Sequence, residues 1–434
     1  MDTKLIMKEH YLPGFSLVKG KVTLPGSKSI TNRVILLSSL AKNKTRINNY
    51  LESDDTNYMI NALESLGVKI EKKAGYLLVY GVGKSFPIKN CDLFLGNAGT
   101  AFRPLTATLS MMDGNYKLSG IERMYERPIK DLVDSLRLMG ASINYLKKDG
   151  FPPLKISPLS NAINNNISIK GNVSSQFLTS LLIAIPLLQK SLSIKIIGNL
   201  ISKPYINITL KLLEKFNIFY QNHNWQKFTL ENTSFYKNPN DILVEGDASS
   251  ASYYFGAAAI AGEIEVHGLN RNSIQGDIYF LKIIEKMGAK ITYKDDSIIV
   301  KKADVLRGLE VDCEAIPDAA MTLTTMALFC TGETKLYNIA SWKVKETDRI
   351  VAIQTELRKL GAIVSSTNNS ITIDPPKNIK NNIKIDTYDD HRIAMCFSLV
   401  SLKKNSVIIN NPDCVKKTYP NYFHDFEKLC NELN

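Results

Sequence analysis

The chain has 434 residues, more than one hydrophobic core usually serves, so two or three domains are expected. Its 54 Lys and Arg residues outnumber 42 Asp and Glu residues, and the net charge of +12 favours acidic partners. The six cysteines form no CxxC pair and the five histidines no HExxH motif, which argues against structural zinc and against a disulfide framework.

Two further absences narrow the class of protein. The N-terminal sequence MDTKLIMKEHYLPGF lacks the apolar core of a signal peptide, and no apolar stretch is long enough to span a bilayer. Basic residues do not cluster with aromatic residues as in a nucleic-acid-binding stripe. We therefore expect a cytoplasmic protein that binds neither membrane nor nucleic acid.

Six segments share one layout, in which small or helix-capping residues lead into an apolar helix. They recur roughly every 70 residues, which indicates a repeated architecture. The six segments begin at Gly26, Gly96, Gly171, Gly246, Pro317 and Asp389.

A second recurring unit lies between these helices. It consists of a polar start, an amphipathic helix, a stop that usually contains Gly and a β-hairpin. Four copies are clear and the copy at 202–230 is weaker; the five occupy residues 51–81, 125–150, 202–230, 273–302 and 345–374.

The last repeat, which starts at Asp389, lacks its closing hairpin. The N-terminal segment 15–24 (FSLVKGKVTL) alternates like a strand, and we predict that it fills this gap. The second half of the chain would then include the N-terminus. We predict one domain from residues 1–25 plus 245–434 and another from residues 26–244, joined by two short crossings.

The starts of the apolar helices favour an anion-binding site. A helix N-terminus has unpaired N–H groups and a partial positive charge, and several of these starts carry basic or hydroxyl side chains. Ordinary N-capping accounts for any single one of them. As a set they favour the binding of anions, and the residues in question are Lys28, Arg33, Arg103, Ser174, Ser175 and Gln176.

A series of motifs runs along the chain in the order LPGSKSITNR, LGNAGTAFRPL, RMYERPI, GNVSSQFLT, ISKPYI, VEGDASSASYYF, IPDAAMT, VKETDR, YDDHR and DCVKKTYP. Together these motifs resemble those of the 5-enolpyruvylshikimate-3-phosphate synthase family. The resemblance implies an α/β enolpyruvyl transferase fold, a two-domain inside-out barrel-like arrangement with three repeated helix–sheet units per domain and an active site in the interdomain cleft. It implies transfer of the enolpyruvyl group of phosphoenolpyruvate to the 5-hydroxyl of shikimate 3-phosphate, by a monomer without metal or organic cofactor.

The resemblance also assigns residues to each substrate. Shikimate 3-phosphate would be bound by Lys28, Ser29, Arg33, Ser174, Ser175, Gln176, Ser202, Tyr205, Asp318, Ser341 and Lys345. Phosphoenolpyruvate would be bound by Lys28, Asn97, Gly99, Arg127, Gln176, Arg349, Arg392 and Lys417. At position 341 the family usually has Asn, and the shorter side chain of Ser341 puts substrate affinity in doubt.

Asp318 and Glu346 are the expected acid–base groups, with Lys28 as a cation between them. Asp318 also fits a plain helix N-cap in the sequence PDAAMT, so that alternative stays open. Counting only these two carboxylates against eight basic residues, we expect an empty site that repels itself. The eight are Lys28, Arg33, Arg103, Arg127, Lys345, Arg349, Arg392 and Lys417.

Two other functions remain possible at this stage. UDP-N-acetylglucosamine 1-carboxyvinyltransferases share the fold and the donor, but they typically carry a Cys in a mobile loop, and residues 100–131 contain no Cys. A basic repeat protein that binds RNA would show affinity that falls steeply with salt and no turnover of phosphoenolpyruvate.

Overall fold

The computed structural model describes residues 8–159, 164–231 and 235–431. The expectation that the chain lacks a signal peptide rested in part on residues 1–7, which lie outside this range. The chain divides into two compact units. One consists of Met1–Pro25 with Gly246–Asn434 and is here called the terminal unit; the other is Gly26–Glu245, here called the central unit.

The described residues form thirteen α-helices and twenty-three strands. The helices are α1 Lys28–Leu40, α2 Asp54–Ser65, α3 Gly99–Ser110, α4 Glu122–Tyr125, α5 Lys130–Leu138, α6 Ser175–Ala184, α7 Lys203–Lys215, α8 Ala248–Ala261, α9 Phe280–Lys286, α10 Ala320–Met326, α11 Arg349–Lys359, α12 His391–Ser398 and α13 Tyr422–Asn431. The strands are β1 Glu9–Leu12, β2 Val18–Thr23, β3 Lys42–Asn48, β4 Lys69–Lys73, β5 Tyr76–Val82, β6 Asn90–Phe94, β7 Asn115–Ser119, β8 Ser142–Tyr145, β9 Leu154–Ser157, β10 Asn166–Lys170, β11 Leu192–Ile197, β12 Tyr220–His223, β13 Lys227–Leu230, β14 Asp241–Leu243, β15 Gly262–His267, β16 Lys290–Tyr293, β17 Ser297–Lys301, β18 Glu310–Asp312, β19 Thr334–Tyr337, β20 Ile363–Ser366, β21 Ser370–Asp374, β22 Ile383–Ile385 and β23 Val407–Asn410.

The strands of the central unit form three sheets with one topology. Their orders are β14-β3-β5-β4, β6-β7-β9-β8 and β10-β11-β13-β12. In each sheet the first two strands are parallel and the last two form an antiparallel hairpin. Each sheet thus contains the hairpin of one predicted repeat, although the second hairpin strand of the copy at 125–150, β9, lies beyond the predicted end of that copy.

The terminal unit repeats this pattern with one change. Two sheets have four strands, in the orders β16-β17-β15-β2 and β18-β19-β21-β20, and a third has three, in the order β1-β23-β22. The predicted α/β class with three helix–sheet units in each half is confirmed.

The predicted role of segment 15–24 is wrong. Its strand β2 pairs in parallel with β15, so that Val18 lies opposite Gly262 in the first sheet of the terminal unit. The incomplete last repeat is closed by β1, which pairs antiparallel with β23 and places Leu12 opposite Val407. A strand-like sequence pattern does not specify which distant strand becomes the partner of a segment.

Each of the six predicted apolar helices is present and buried along almost its whole length. These are α1, α3, α6, α8, α10 and α12. Small residues allow close packing in the terminal unit: a Cβ at Gly256 of α8 would come within 2.9 Å of Thr322 Cγ2 on α10. The polar residues at the starts of these helices are thereby fixed by a packed core.

Candidate active site

The sequence-predicted site residues fall into two sets, one in each unit. In the central unit, Arg33 links two helices that carry candidate ligands of shikimate 3-phosphate. Its Nε donates to Thr209 Oγ1 at 2.8 Å, its Nη1 to the carbonyl of Ser29 at 2.7 Å and its Nη2 to the carbonyl of Tyr205 at 3.3 Å. Burial lowers the pKa of Arg33 to about 10. The structure therefore brings Ser29, Arg33 and Tyr205 together.

Lys28, the first residue of α1, has a carboxylate partner that the sequence analysis did not count. Its Nζ lies 3.1 Å from Asp55 Oδ2, and both side chains are almost fully buried. Asp55 belongs to the first turn of α2, where acidic residues usually serve the helix dipole. For that reason its sequence position gave no signal of a contact with Lys28.

Gly99 opens α3 beside three candidate polar side chains. A Cβ at this position would lie 2.7 Å from Arg127 Nη2, 2.9 Å from Arg103 Nη1 and 3.1 Å from Gln176 Oε1. Arg127 is held by Asn97, because its Nη1 donates to the Asn97 carbonyl at 3.0 Å and to Asn97 Oδ1 at 2.9 Å. Asn97, Gly99, Arg127 and Gln176 thus form one cluster, and Arg103, which the resemblance left without a substrate, adds a second guanidinium to it.

Three candidate serines lie at helix starts of the central unit. Ser174 caps α6 by accepting from the Gln176 N–H at 3.3 Å, and Ser175 is the first residue of that helix. Ser202 precedes α7 in a left-handed conformation with φ 53°, which is uncommon for a residue with a Cβ. All three positions present hydroxyl groups beside the unpaired N–H groups of a helix N-terminus.

In the terminal unit, Arg349 is the centre of a buried ion-pair network. Its Nε lies 2.8 Å from Asp390 Oδ2, its Nη1 3.0 Å from Asp318 Oδ1 and its Nη2 2.9 Å from Glu346 Oε2. Burial alone would lower the pKa of Arg349, but the charges of Asp390, Glu346 and Asp318 raise it above its ordinary value. Arg349 therefore stays charged and fixes the positions of three carboxylates.

Asp318 joins that network to the start of α12. Its Oδ2 lies 3.0 Å from Arg392 Nη2, and Lys345 Nζ lies 3.7 Å from its Oδ1. The N-cap alternative for Asp318 is wrong, because α10 is preceded by Ala319 and has no side-chain cap bond. Burial lowers the pKa of Lys345, and the charge of Asp318 opposes this shift.

Glu346 is the third carboxylate of this network. Arg349 is its close partner, and Lys417 Nζ lies 4.0 Å from its Oε1.

Ser341 lies in a short 3-10 turn, Ala340–Val344, which is tied to the Asp318 segment because the indole of Trp342 donates to the carbonyl of Pro317 at 2.5 Å. The structure therefore places the Ser341 turn next to the chain segment that carries Asp318.

A further buried acid lies near this network. Asp277 accepts a hydrogen bond from the hydroxyl of Ser249. Burial, reinforced by the negative charge of Asp318, raises the pKa of Asp277 to about 6, although Ser249 and Arg392 oppose the shift. Sequence analysis did not identify Asp277, since its place in the segment SIQGD resembles an ordinary helix start.

The charge count behind the expectation of a self-repelling empty site omitted two carboxylates, and including them lowers the excess of basic groups without removing it. It rested on two carboxylates, whereas Asp55 and Asp390 provide two more, in contact with Lys28 and Arg349. Asp390 was overlooked because an Asp before an apolar helix is typical of an N-cap. It does act as one, accepting from the Arg392 N–H at 2.9 Å, and it binds Arg349 as well.

Two kinds of feature are absent from the described residues. No helix there is both long and apolar enough to cross a membrane. No group of three or more His, Cys, Asp or Glu side chains within that part of the chain could hold a metal ion.

Comparisons with known proteins agree with this architecture. Residues 13–426 match the model of the family described as EPSP synthase (3-phosphoshikimate 1-carboxyvinyltransferase). A 3-phosphoshikimate 1-carboxyvinyltransferase of Nitrosomonas europaea is 52% identical over 424 residues, covering 96% of this chain and 98% of the relative. One from Paraburkholderia phytofirmans is 50% identical over 423 residues, with the same two coverages.

Solved structures share the fold over nearly the whole chain. An EPSP synthase from Acinetobacter baumannii superposes with a TM-score of 0.79 at 26% identity, covering 98% of this chain and 97% of that one. An enolpyruvyl transferase from Streptomyces tendae gives 0.73 at 14% identity, covering 96% of each, and shows the fold alone.

Proposed function

The chain belongs to the EPSP synthase family, and we propose that the residues described above bind and convert the two substrates of that family's reaction. The protein is a 3-phosphoshikimate 1-carboxyvinyltransferase, which transfers the carboxyvinyl group of phosphoenolpyruvate to shikimate 3-phosphate and releases phosphate. The observation that carries the residue assignment is the bridge formed by Asp318 between two buried guanidinium groups, those of Arg349 and Arg392, at 3.0 Å each.

Phosphoenolpyruvate carries a phosphate and a carboxylate, both of which a guanidinium fork can bind through two hydrogen bonds. In the terminal unit the proposed ligands are Arg349, Arg392 and Lys417. In the central unit they are Lys28, Asn97, Gly99, Arg127 and Gln176. Gly99 suits this role because the absence of a Cβ leaves room for an anion beside the guanidinium of Arg127.

Shikimate 3-phosphate carries its own phosphate, a carboxylate and free hydroxyls. We assign its binding to the hydroxyl and basic groups in the first or second turns of α1, α6 and α7 or just before them, to Asp318 before α10 and to the segment before α11. These residues are Lys28, Ser29, Arg33, Ser174, Ser175, Gln176, Ser202, Tyr205, Asp318, Ser341 and Lys345. Ser341 reaches less far than the Asn usual in the family, so its contact with substrate would be weaker.

The reaction needs a proton delivered to the methylene carbon of phosphoenolpyruvate and a proton removed from the 5-hydroxyl of the acceptor. The hydroxyl oxygen bonds to C2 of phosphoenolpyruvate and gives a tetrahedral adduct. Loss of phosphate and of a methyl proton then restores the double bond. Every atom is accounted for by the two substrates, the enolpyruvyl ether and phosphate.

Asp318 and Glu346 differ in a way that suggests separate roles. Three cations contact Asp318, which favours an ionised carboxylate able to accept the hydroxyl proton. Glu346 lies 2.9 Å from Arg349 and 4.0 Å from Lys417, and we assign it the remaining role, that of the acid. Lys28 completes the proposed catalytic set as the cation that stabilises negative charge in the adduct.

We further propose that the enzyme works as a monomer in the cytoplasm and without a cofactor. The six cysteines support this compartment, since they are free thiols and five of them are buried. Burial raises the pKa of Cys396 to about 12, so its thiol is unreactive at neutral pH.

The test is a phosphate-release assay with phosphoenolpyruvate and three acceptors supplied separately. We expect release with shikimate 3-phosphate and none with UDP-N-acetylglucosamine or with shikimate, which lacks the phosphate. Release with UDP-N-acetylglucosamine alone would overturn the assignment of acceptor. Absence of release with every acceptor would overturn the proposed function of the site.

A further inference from the structure

The 386–390 segment joins β22 to α12 and contains two successive residues with left-handed backbone. Tyr388 has φ 53° and Asp389 has φ 54°. This conformation is unfavourable for a large side chain because its Cβ crowds the backbone. Asp390 follows at once as the N-cap of α12, whose second residue is Arg392. The entry of Arg392 into its helix therefore depends on a strained segment that other contacts must hold.

One of these contacts is the carboxylate of Glu356, which lies in α11 and is fully buried. Its Oε1 accepts from the Tyr388 hydroxyl at 2.7 Å, and its Oε2 accepts from the Asp386 N–H at 3.2 Å. Lys359 Nζ lies 2.8 Å from Oε2. A buried carboxylate is unfavourable unless donors surround it, and here three donors do. Glu356 thus holds the 386–390 segment at two points, the side chain of Tyr388 and the backbone N–H of Asp386.

The other end of the segment is held by the same helix. Asp390 Oδ2 lies 2.8 Å from Arg349 Nε, and its Oδ1 accepts from Arg349 Nη2 at 3.3 Å. Arg349 and Glu356 are seven residues apart, which is about 10 Å along an α-helix. Between the two anchors, the Asp390 N–H donates to the Thr387 carbonyl at 2.8 Å. Helix α11 therefore sets both ends of the 386–390 segment.

We propose that Glu356 is a positioning residue for phosphoenolpyruvate binding, acting through Tyr388 and Asp386 to keep Arg392 in register with Arg349. The inference rests on the proposed function, which assigns both arginines to this substrate. Glu356 itself is not among the residues assigned to either substrate. Weakening its hold lets the 386–390 segment relax, so that the two guanidinium groups no longer present a fixed pair to one anion.

The experiment compares Tyr388→Phe and Glu356→Gln with a matched control, Tyr220→Phe. Tyr220 donates to Glu214 Oε1 at 2.6 Å in the central unit, so the control also removes one Tyr–Glu hydrogen bond but leaves the 386–390 segment intact. In Tyr388→Phe we expect the KM for phosphoenolpyruvate to rise about tenfold, the scale of one lost hydrogen bond to a charged group. The KM for shikimate 3-phosphate should change less than twofold or so. Glu356→Gln should act in the same direction and more strongly, because the amide keeps only one acceptor oxygen and loses the negative charge that pairs with Lys359.

The possible results distinguish a failure of the proposed function from a failure of the proposed role of Glu356. If the parent protein releases no phosphate from phosphoenolpyruvate and shikimate 3-phosphate, the proposed function fails before the variants are compared. If the parent is active and Tyr388→Phe keeps the parent's KM for phosphoenolpyruvate, or if both substrates' KM values rise equally, Glu356 is not a positioning residue. Thermal unfolding of all variants checks that a change in KM is not a general loss of structure.

Discussion

Glu346 and Asp318 lie on either side of one guanidinium, that of Arg349, yet we assign them opposite proton-transfer roles. Glu346→Gln keeps the size of the side chain and an oxygen that can accept from Arg349, but it cannot deliver a proton. We expect kcat to fall by about 100-fold or more, the usual scale for a general acid or base, with little change in shikimate 3-phosphate affinity.

Glu310→Gln is the matched control for this variant, because Glu310 pairs with Lys335 at 2.8 Å on the exposed surface of the same unit. It should retain the parent kcat. Steady-state phosphate release with both substrates saturating makes the comparison, and near-normal turnover in Glu346→Gln would remove Glu346 from the catalytic set.

Asp277 makes stability depend on pH. Its pKa of about 6 lies above the ordinary value near 4 of an unfolded Asp, so the folded state favours the protonated form. This preference stabilises the folded state by up to about 3 kcal/mol. The stabilisation is complete below about pH 4 and is lost as the pH rises through about 6.

Asp277→Asn removes this dependence, so the variant should gain stability relative to the parent between about pH 4 and pH 7. Urea unfolding at several pH values measures the difference. Asp304→Asn, at an exposed carboxylate 3.5 Å from Lys290, should show no such gain. A difference between Asp277→Asn and the parent that is constant with pH would show that Asp277 is ionised as readily in the folded as in the unfolded chain.

Gly99 provides a test with glyphosate, the phosphonate that inhibits much of the family at the phosphoenolpyruvate site. A methyl group at Gly99 would displace the ends of Arg127, Arg103 and Gln176, which are flexible, so both ligands should bind less well. Glyphosate is the longer molecule and should lose more. We expect the inhibition constant in Gly99→Ala to rise by more than the KM for phosphoenolpyruvate. Equal increases in the two constants would mean that Gly99 does not line the phosphoenolpyruvate site.

At the scale of elements, the local sequence pattern was sufficient to predict a helix or a hairpin wherever that element depends on residues close in sequence. The run that forms α8 has no charged residue on any face, and the helix is buried at every residue, as such a run predicts. The hairpins after the amphipathic helices also lie where Gly-containing stops indicate them. The partners of β2 could not be predicted, because its parallel pairing with β15 joins residues far apart in sequence, for which alternation gives no signal.

The role of β1 leads to a stability prediction. Leu12 of β1 is fully buried, whereas Leu17, which precedes β2, is 36% exposed. Leu12→Ala should lower the free energy of unfolding by about 2–5 kcal/mol, the cost of a cavity in a packed core. Leu17→Ala should cost less than about 1 kcal/mol. Urea unfolding compares the two, and equal small losses would mean that β1 does not close the last sheet.

Across the whole molecule, one structural unit is used six times, and five of its buried helices begin near proposed substrate residues. The exception is α8, whose first turn is occupied by the protein itself: Asp247 accepts from the Ser250 N–H at 2.7 Å and Gln275 from the Ala248 N–H at 3.1 Å. Ser174 and Asp390 also cap α6 and α12, but from within their own motifs, whereas the second acceptor at α8 comes from outside its motif. That difference depends on side chains such as Gln275, which belong to another element.

The sequence showed the basic and hydroxyl residues of the site but not their carboxylate partners. Basic and hydroxyl residues at helix starts are visible in the motifs, and the family resemblance assigns most of them. Their carboxylate partners are not, because Asp55 and Asp390 occupy places that helix capping already explains. Ion pairing between separate repeats is set by packing, and no local pattern records it.

The most direct test of the account is a phosphorus-31 NMR spectrum of the purified protein incubated with equal amounts of phosphoenolpyruvate and shikimate 3-phosphate. Carboxyvinyl transfer breaks the C–O bond of phosphoenolpyruvate. The phosphoenolpyruvate signal should therefore disappear as inorganic phosphate appears in equal amount, while the sugar-acid monoester keeps its phosphorus and shifts slightly. Phosphate release without a change in the monoester signal, or loss of the monoester itself, would contradict the account.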